Sequence, residues 1–172
     1  MNLLDYLPTV PDFPRPGIMF KDISPLLANQ RAFHFAIDQL YDLSHHYDFD
    51  YVLGIESRGF IFATAIAQVS RKGLVLARKP NKLPKKVYVE SYGLEYGSDT
   101  LEIQQDILPS DAKVLLIDDV LATGGTLLAA AKLVKQTGAT VAGSLVLLEI
   151  TELMGGEKLT KANIQSMALI QI

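Results

Sequence analysis

The sequence predicts an α/β fold, a twisted parallel sheet flanked by helices on both faces. Three observations carry that expectation. Four short segments, 51–55, 73–77, 114–117 and 141–148, are apolar throughout instead of alternating, as strands covered on both faces must be. Segments of helical character separate them, which joins neighbouring strands by crossovers and makes the sheet parallel. Small-residue turns follow two of the strands and open helices, and ligands in such sheets sit beyond the carboxyl ends of the strands.

Taken in order, the prolines at 11, 14 and 16 hold the amino-terminal arm extended. A helix over 31–46 precedes the first strand, 51–55. Residues 59–70 are apolar on nearly every side and read as a buried helix, followed by the strand 73–77. Alternation on either side of Gly93 and Gly97 predicts a two-stranded hairpin within the long stretch 78–107. That hairpin shows no continuous apolar face to fix it to a core. The strand 114–117 ends abruptly at Asp118 and Asp119, the helix 127–136 is closed by Gly138, and 141–148 is a further strand. Residues 164–170 add an edge strand. At 172 residues the whole chain, 1–172, reads as a single domain with a sizeable core.

Composition narrows the function classes. A hydrophobic fraction of 49% excludes disorder, and the apolar runs are too short for a membrane-spanning helix, so no membrane partner is expected. The net charge of −3 gives no general attraction to nucleic acid, and basic residues must act locally. With no cysteine there is no disulfide, thiolate metal site or cysteine nucleophile. The amino terminus lacks a basic start and an apolar stretch, and the expected location is the cytoplasm. His34, His45 and His46 are assigned no role.

The run Val114-Leu-Leu-Ile-Asp-Asp-Val-Leu-Ala-Thr-Gly-Gly-Thr126 carries the most chemistry. Its turn, Ala122, Thr123, Gly124, Gly125 and Thr126, presents backbone N–H groups and two hydroxyls to an anion at a helix N-terminus. Asp118 and Asp119 would repel phosphate and suit sugar hydroxyls or a metal-bound group beside it. Phosphate cradle and diol acceptors together point to a phosphorylated sugar; the alternative is a plain structural connection.

Three other segments stand apart from the scaffold. In 55–60, Ser57, Arg58 and Gly59 form a second strand-to-helix turn where a guanidinium could grip a phosphate bidentately; alternatively Ser57 caps the helix and Arg58 is solvated. From Arg78 a basic cluster follows, with Lys79, Lys82, Lys85 and Lys86, either a phosphate grip or a solvated face. Residues 85–105 then read as a mobile lid, with Glu95 and Tyr96 at its tip, able to close and exclude water. In the arm, 1–27, Phe20 between Met19 and Lys21 offers an aromatic face with backbone donors and acceptors, which suits a flat heterocycle. The competing reading is a packed arm in which Phe13 and Phe20 fill core.

These segments resemble the adenine phosphoribosyltransferases, a branch of the type I purine/pyrimidine phosphoribosyltransferase family, over nearly the whole chain. The residues that carry the resemblance are Asp12-Phe-Pro-Arg-Pro-Gly-Ile-Met-Phe-Lys-Asp-Ile-Ser-Pro-Leu-Leu27, Gly54-Ile-Glu-Ser-Arg-Gly-Phe60, Arg78-Lys-Pro-Asn-Lys-Leu-Pro84, Ser91-Tyr-Gly-Leu-Glu-Tyr-Gly97 with Leu101-Glu-Ile-Gln104, Asp118 to Thr126, and Glu152-Leu-Met-Gly-Gly-Glu-Lys-Leu159. The phosphoribosyl turn is shared by many relatives, and the arm and the Glu95 lid narrow it to adenine. Lys21 stands where many relatives carry Arg, and Ser98-Asp-Thr100 departs from them at the lid.

The resemblance implies the type I fold, with the arm as a hood over the base, and the reaction of adenine with 5-phosphoribosyl 1-pyrophosphate to give AMP and pyrophosphate. It implies Mg²⁺ held mainly through substrate, with no direct protein ligand, and a homodimer. Ser57, Arg58, Arg78, Lys79 and Lys82 would hold the pyrophosphate, Ala122 to Thr126 the ribose phosphate, and Asp118 and Asp119 the ribose hydroxyls. Glu95 would act near the imidazole nitrogen of adenine as proton acceptor or orienter. Phe20 would stack on the base, backbone groups of Met19 and Lys21 would read its edge, and Leu121 would lie opposite. Two rivals share the motif: a sibling transferase for another base, and a non-catalytic regulator that senses phosphoribosyl pyrophosphate.

Overall fold

Two units divide the chain, residues 1–39 and 40–172, and the computed structural model describes residues 1–94 and 97–172. The first unit opens with a 3-10 turn, Leu3–Tyr6, whose Leu4 N–H donates to the Asn2 side chain at 3.2 Å. Strands β1 (Thr9–Pro11) and β2 (Met19–Lys21) then pair antiparallel, Val10 opposite Phe20. The expected extended arm is therefore a hairpin. Prolines fix φ but do not choose the turn; the reversal is made by Asp12 and Gly17, both at positive φ, where the Gly17 N–H donates to Asp12 Oδ1 at 2.7 Å. Helix α1 (Ser24–Ala28) and α2 (Gln30–Ser44) follow, α2 continuing into the second unit. It stops two residues short of the expected 46, where the Ser44 hydroxyl turns back onto Tyr41 O at 2.6 Å.

In the second unit the described elements are β3 (Tyr51–Ile55), α3 (Gly59–Ser70), β4 (Gly73–Ala77), β5 (Val87–Leu94), β6 (Gly97–Gln104), β7 (Lys113–Leu121), α4 (Gly125–Gln136), β8 (Thr140–Glu149), α5 (Gly155–Lys161) and β9 (Ser166–Gln171). Five of these strands form one parallel sheet in the order β4-β3-β7-β8-β9, with β9 on the edge as expected. The chain leaves β3 for β4 in one direction and β7 for β8 and β9 in the other. Right-handed crossovers therefore put α3 on one face and α4 with α5 on the opposite face. The burial follows that geometry. Leu53, Ile55, Val114 and Leu116 pack with Leu127, Ala130 and Val134 of α4, and every one of them is buried. Val52, Leu115, Ile117, Phe62 and Ile66 are also buried, at 1% exposure or less.

Three differences from expectation bear on function. Strand β7 does not end at Ile117 but runs on through both carboxylates to Leu121, because β8 continues beside it and pairs Asp118 with Val146 and Leu121 with Glu149. Helix α5 occupies a stretch whose two opening glycines disguise it. The hairpin β5–β6 forms as expected, with Val87 opposite Gln104, but it is anchored at its base: Leu101 and Ile103 are fully buried and Tyr92 nearly so. Backbone bonds between Arg78 and Glu102, at 2.9 and 2.8 Å, tie β6 to the end of β4. Glu95 and Tyr96 lie outside the described residues. Among the described residues, no helix is long and apolar enough to cross a membrane.

Candidate active site

The carboxyl ends of β3, β4 and β7 bring most of the sequence-predicted polar residues of the second unit close together. At the end of β7 the two adjacent carboxylates are nearly out of solvent, Asp118 at 9% exposure and Asp119 at 6%. The Asp119 N–H donates to Asp118 Oδ1 at 2.9 Å, and Arg58 Nη2 lies 2.7 Å from Asp119 Oδ2 as an ion pair without hydrogen-bond alignment. Burial pushes the Asp118 carboxyl well above the usual carboxylate range, and the charge of Asp119 adds to the rise. Burial raises Asp119 as well, against the pull of Arg58. Arg58 is not a solvated cap neighbour, and α3 begins without a side-chain cap from Ser57. Helix α3 can start this close to β7 because residue 59 is glycine: a Cβ there would meet Asp118 Oδ1 at 2.8 Å and Ile117 O at 3.0 Å.

Beyond β7 the chain turns at Gly124, whose φ of 81° a side chain would resist, and enters α4 at Gly125. No side chain caps this helix, so its first N–H groups point into the turn made by Ala122 and Thr123. Thr126 falls in the first turn of α4. The turn is backed by α5: a Cβ on Gly155 would fall 2.2 Å from Ala122 O and 2.7 Å from Leu121 Cδ1. This explains the Gly-Gly pair at 155–156, to which sequence reasoning gave no role. Leu121 itself is buried, at 1% exposure.

The basic stretch gathers on Glu56, the residue after β3. Its Oε2 accepts from the Lys79 N–H at 2.7 Å and from Arg78 Nε at 3.3 Å, and its Oε1 from Lys82 Nζ at 2.8 Å. Lys79 sends its own side chain elsewhere, to Asp99 and to the Tyr92 hydroxyl at 2.9 Å, both on the hairpin. From the sequence, Glu56, Arg78 and Asp118 all fall just past strand ends and could share one cleft, but the gathering of the cations on Glu56, and Tyr92 and Asp99 as partners of Lys79, were missed. The signal available for Glu56 was a single acid at a strand end ahead of three cations.

In the first unit, Phe20 lies edge-on to Phe13, ring centroids 5.0 Å apart, and Phe13 remains half exposed, so these rings do not fill a core. The Asp22 N–H bonds Pro8 O, and antiparallel alternation then makes Val10–Phe20 the next bonded pair. Backbone groups of Met19 and Lys21 consequently point away from β1, while the Lys21 side chain reaches Thr9 Oγ1 at 2.6 Å.

Among the described residues no three acidic or histidine side chains cluster as a metal site. Asp118 and Asp119 supply only hard oxygen donors, which fit Mg²⁺ in a secondary role beside substrate oxygens.

The Glu56 cluster yields a pH prediction. Burial alone would raise this carboxyl, but Lys82, the Lys79 N–H and Arg78 outweigh it and hold it at about 2, down from 4.5. A depressed carboxylate stabilises the fold above its unfolded value and loses that contribution as pH falls toward the folded one. Wild-type stability should therefore decline between pH 5 and 2. Glu56→Gln should be less stable at pH 7 by on the order of 1–3 kcal/mol and show a flatter acid limb. Urea unfolding across that range measures both, and parallel curves would show that the cluster contributes nothing.

Comparison with known proteins gives one family. The phosphoribosyl transferase domain model matches residues 22–166. The chain is 60% identical over 171 residues to the curated adenine phosphoribosyltransferase of Polynucleobacter asymbioticus, covering 99% of each. Among solved structures, adenine phosphoribosyltransferase from Thermoanaerobacter pseudethanolicus superposes with a TM-score of 0.95 at 39% identity, covering 99% of this chain and 100% of that one. The APRTase from Giardia lamblia complexed with 9-deazaadenine gives 0.93 at 37% identity, covering 100% and 98%. Matched from end to end in sequence and in fold, and with its carboxylate pair set before an uncapped glycine turn, the chain belongs to the adenine phosphoribosyltransferase branch of the phosphoribosyltransferase family.

Proposed function

We propose that this chain transfers the phosphoribosyl group of 5-phosphoribosyl 1-pyrophosphate to adenine, forming AMP and pyrophosphate in purine salvage, as a cytoplasmic homodimer that uses Mg²⁺. The observation that carries this reading is the 60% identity, over 99% of both chains, to a curated adenine phosphoribosyltransferase. In the reaction the bond from ribose C1 to the pyrophosphate oxygen breaks, a bond from C1 to an imidazole nitrogen of adenine forms, and that nitrogen loses its proton. Positive charge grows on the ribose ring between these events, and the protein must meet it.

The residues divide that work by chemistry. The backbone N–H groups of the turn Ala122 to Thr126, at an uncapped helix start, hold the ribose phosphate. Asp118 and Asp119 accept the ribose hydroxyls and oppose the developing charge. Ser57, Arg58, Arg78, Lys79 and Lys82 hold the pyrophosphate, Arg58 exchanging Asp119 for it. When bound, Mg²⁺ would supply charge neutralisation on the leaving pyrophosphate, with Asp118 and Asp119 the carboxylates that could assist in holding it. Phe20 stacks on adenine, the outward backbone groups of Met19 and Lys21 read its edge, and Leu121 supports the other side. Glu95 takes or steers the imidazole proton. Residues 85–105 act as the lid, whose base is held by buried Leu101 and Ile103.

The direct test is pyrophosphate release with adenine, guanine, hypoxanthine and xanthine, in which adenine alone should support turnover; preference for another base would make the chain a sibling enzyme, and no turnover with any base would make it a regulator. Asp119→Asn removes charge from the cationic ribose and should cut turnover at least about tenfold, roughly 1.4 kcal/mol of barrier, with the fold intact. Wild-type turnover in a folded Asp119→Asn protein would remove the residue from the mechanism. Phe20→Ala should raise the KM for adenine by about 1–3 kcal/mol in free-energy terms while sparing that for phosphoribosyl pyrophosphate. Equal weakening of both substrates would return Phe20 to a packing role.

A further inference from the structure

Lys79 differs from its two basic neighbours. Arg78 and Lys82 direct their side chains at Glu56, which is fixed at the end of a core strand. Lys79 is anchored there only by its backbone N–H, 2.7 Å from Glu56 Oε2, and its ammonium crosses to the hairpin. It meets the Asp99 carboxylate and the Tyr92 hydroxyl there, and the Tyr92 hydroxyl also donates to Asp99 Oδ2 at 3.1 Å. The Tyr92 ring lies 5.5 Å from the same ammonium. Tyr92 and Asp99 face each other across the β5–β6 ladder, so both hairpin strands close on one side chain. Lys79 and Asp99 each keep 31% of their side chains exposed, enough for an anion to reach the ammonium.

Charge gives this arrangement a consequence. Arg78, Lys79 and Lys82 are offset by Glu56 and Asp99, which leaves the stretch with one net positive charge in the free protein. Glu56 follows directly on a core strand, whereas Asp99 sits on the hairpin opposite Tyr92. An incoming polyanion and Asp99 therefore compete for the same ammonium. We propose that Asp99 is a positioning residue for pyrophosphate: it holds Lys79 against Tyr92 in the free protein, weakens the site for the pyrophosphate group, and gives up the ammonium when that group binds. The proposal rests on the reading of Lys79 as a pyrophosphate ligand.

The test is calorimetric titration of inorganic pyrophosphate, at fixed magnesium, into wild type, Asp99→Asn, Asp99→Glu, Lys79→Met and the Lys79→Met/Asp99→Asn double variant. Asp99→Asn should tighten pyrophosphate about three- to tenfold, the size of a partly exposed ion pair, and lower the KM for phosphoribosyl pyrophosphate while leaving that for adenine unchanged. Asp99→Glu, which keeps the charge, should stay within about twofold of wild type. In the Lys79→Met background Asp99→Asn should have no effect. Asp99→Ser repeats the charge removal should the Asn variant fold poorly. If Lys79→Met weakens pyrophosphate but Asp99→Asn does not tighten it, the proposal is overturned and the ligand reading stands. If Lys79→Met leaves pyrophosphate affinity unchanged, Lys79 is not a ligand and both fall. Tightening that persists without Lys79 would be a general charge effect and would also overturn it.

Discussion

Two adjacent carboxylates nearly removed from water are the constraint around which the second unit is arranged. An isolated buried charge is costly, and a neighbouring like charge makes it worse. The protein meets that cost from one direction, the start of α3. Arg58 brings its guanidinium to Asp119, and Gly59 removes the side chain that would otherwise hold α3 off Asp118. The strand–turn–helix after β3 and the end of β7 are thus joined by an ion pair and by close packing. The chain could not carry its carboxylate pair here without the turn that follows Ile55, and that turn would lose its charge partner without the pair.

Support for the rest of the polar end is similarly indirect. Glu56 holds the backbone of Lys79 and the side chains of Arg78 and Lys82, so a single core-anchored acid sets the course of a basic stretch with little regular structure. Gly155 presses α5 against Ala122 O, bracing the glycine turn from behind. Neither residue is expected to touch substrate, yet each fixes groups that would. Preorganisation of this kind keeps donors aimed before the ligand arrives and lowers the reorganisation needed at the moment of reaction.

Much of this was legible in the sequence because each signal was local. Period and composition marked the five parallel strands, and the strand, carboxylate pair and glycine turn together occupy thirteen consecutive residues, 114–126. What escaped depends on distant partners. Strand β7 was cut short at Asp118 because charge normally ends a buried strand; only pairing with β8 carries it to Leu121. The arm was read as extended because proline fixes φ without revealing that Asp12 and Gly17 reverse the chain. Helix α5 begins with two poor helix formers, and its reason for glycine, the approach to Ala122, lies more than thirty residues away. The hairpin was read as lacking a continuous apolar face to fix it to a core, yet Leu101 and Ile103 are buried, where β6 meets α4 and the end of β4.

The sheet also has a far end. Midway along β8 the Tyr47 hydroxyl donates to Ser144 O at 2.9 Å, and its ring fills the space that a Cβ on Gly143 would need. Asp50 and Lys113 exchange backbone and side-chain bonds at the amino-terminal end of β7. Strands β3 and β7 therefore carry a fastening at one end and polar site residues at the other, with apolar layers between. Substitutions along a single strand would then register in different currencies, as the amount of folded protein near Lys113 and as turnover per molecule near Asp118. Heat resistance and catalytic rate can in consequence be selected from separate residues of the same strand, without the usual trade between them.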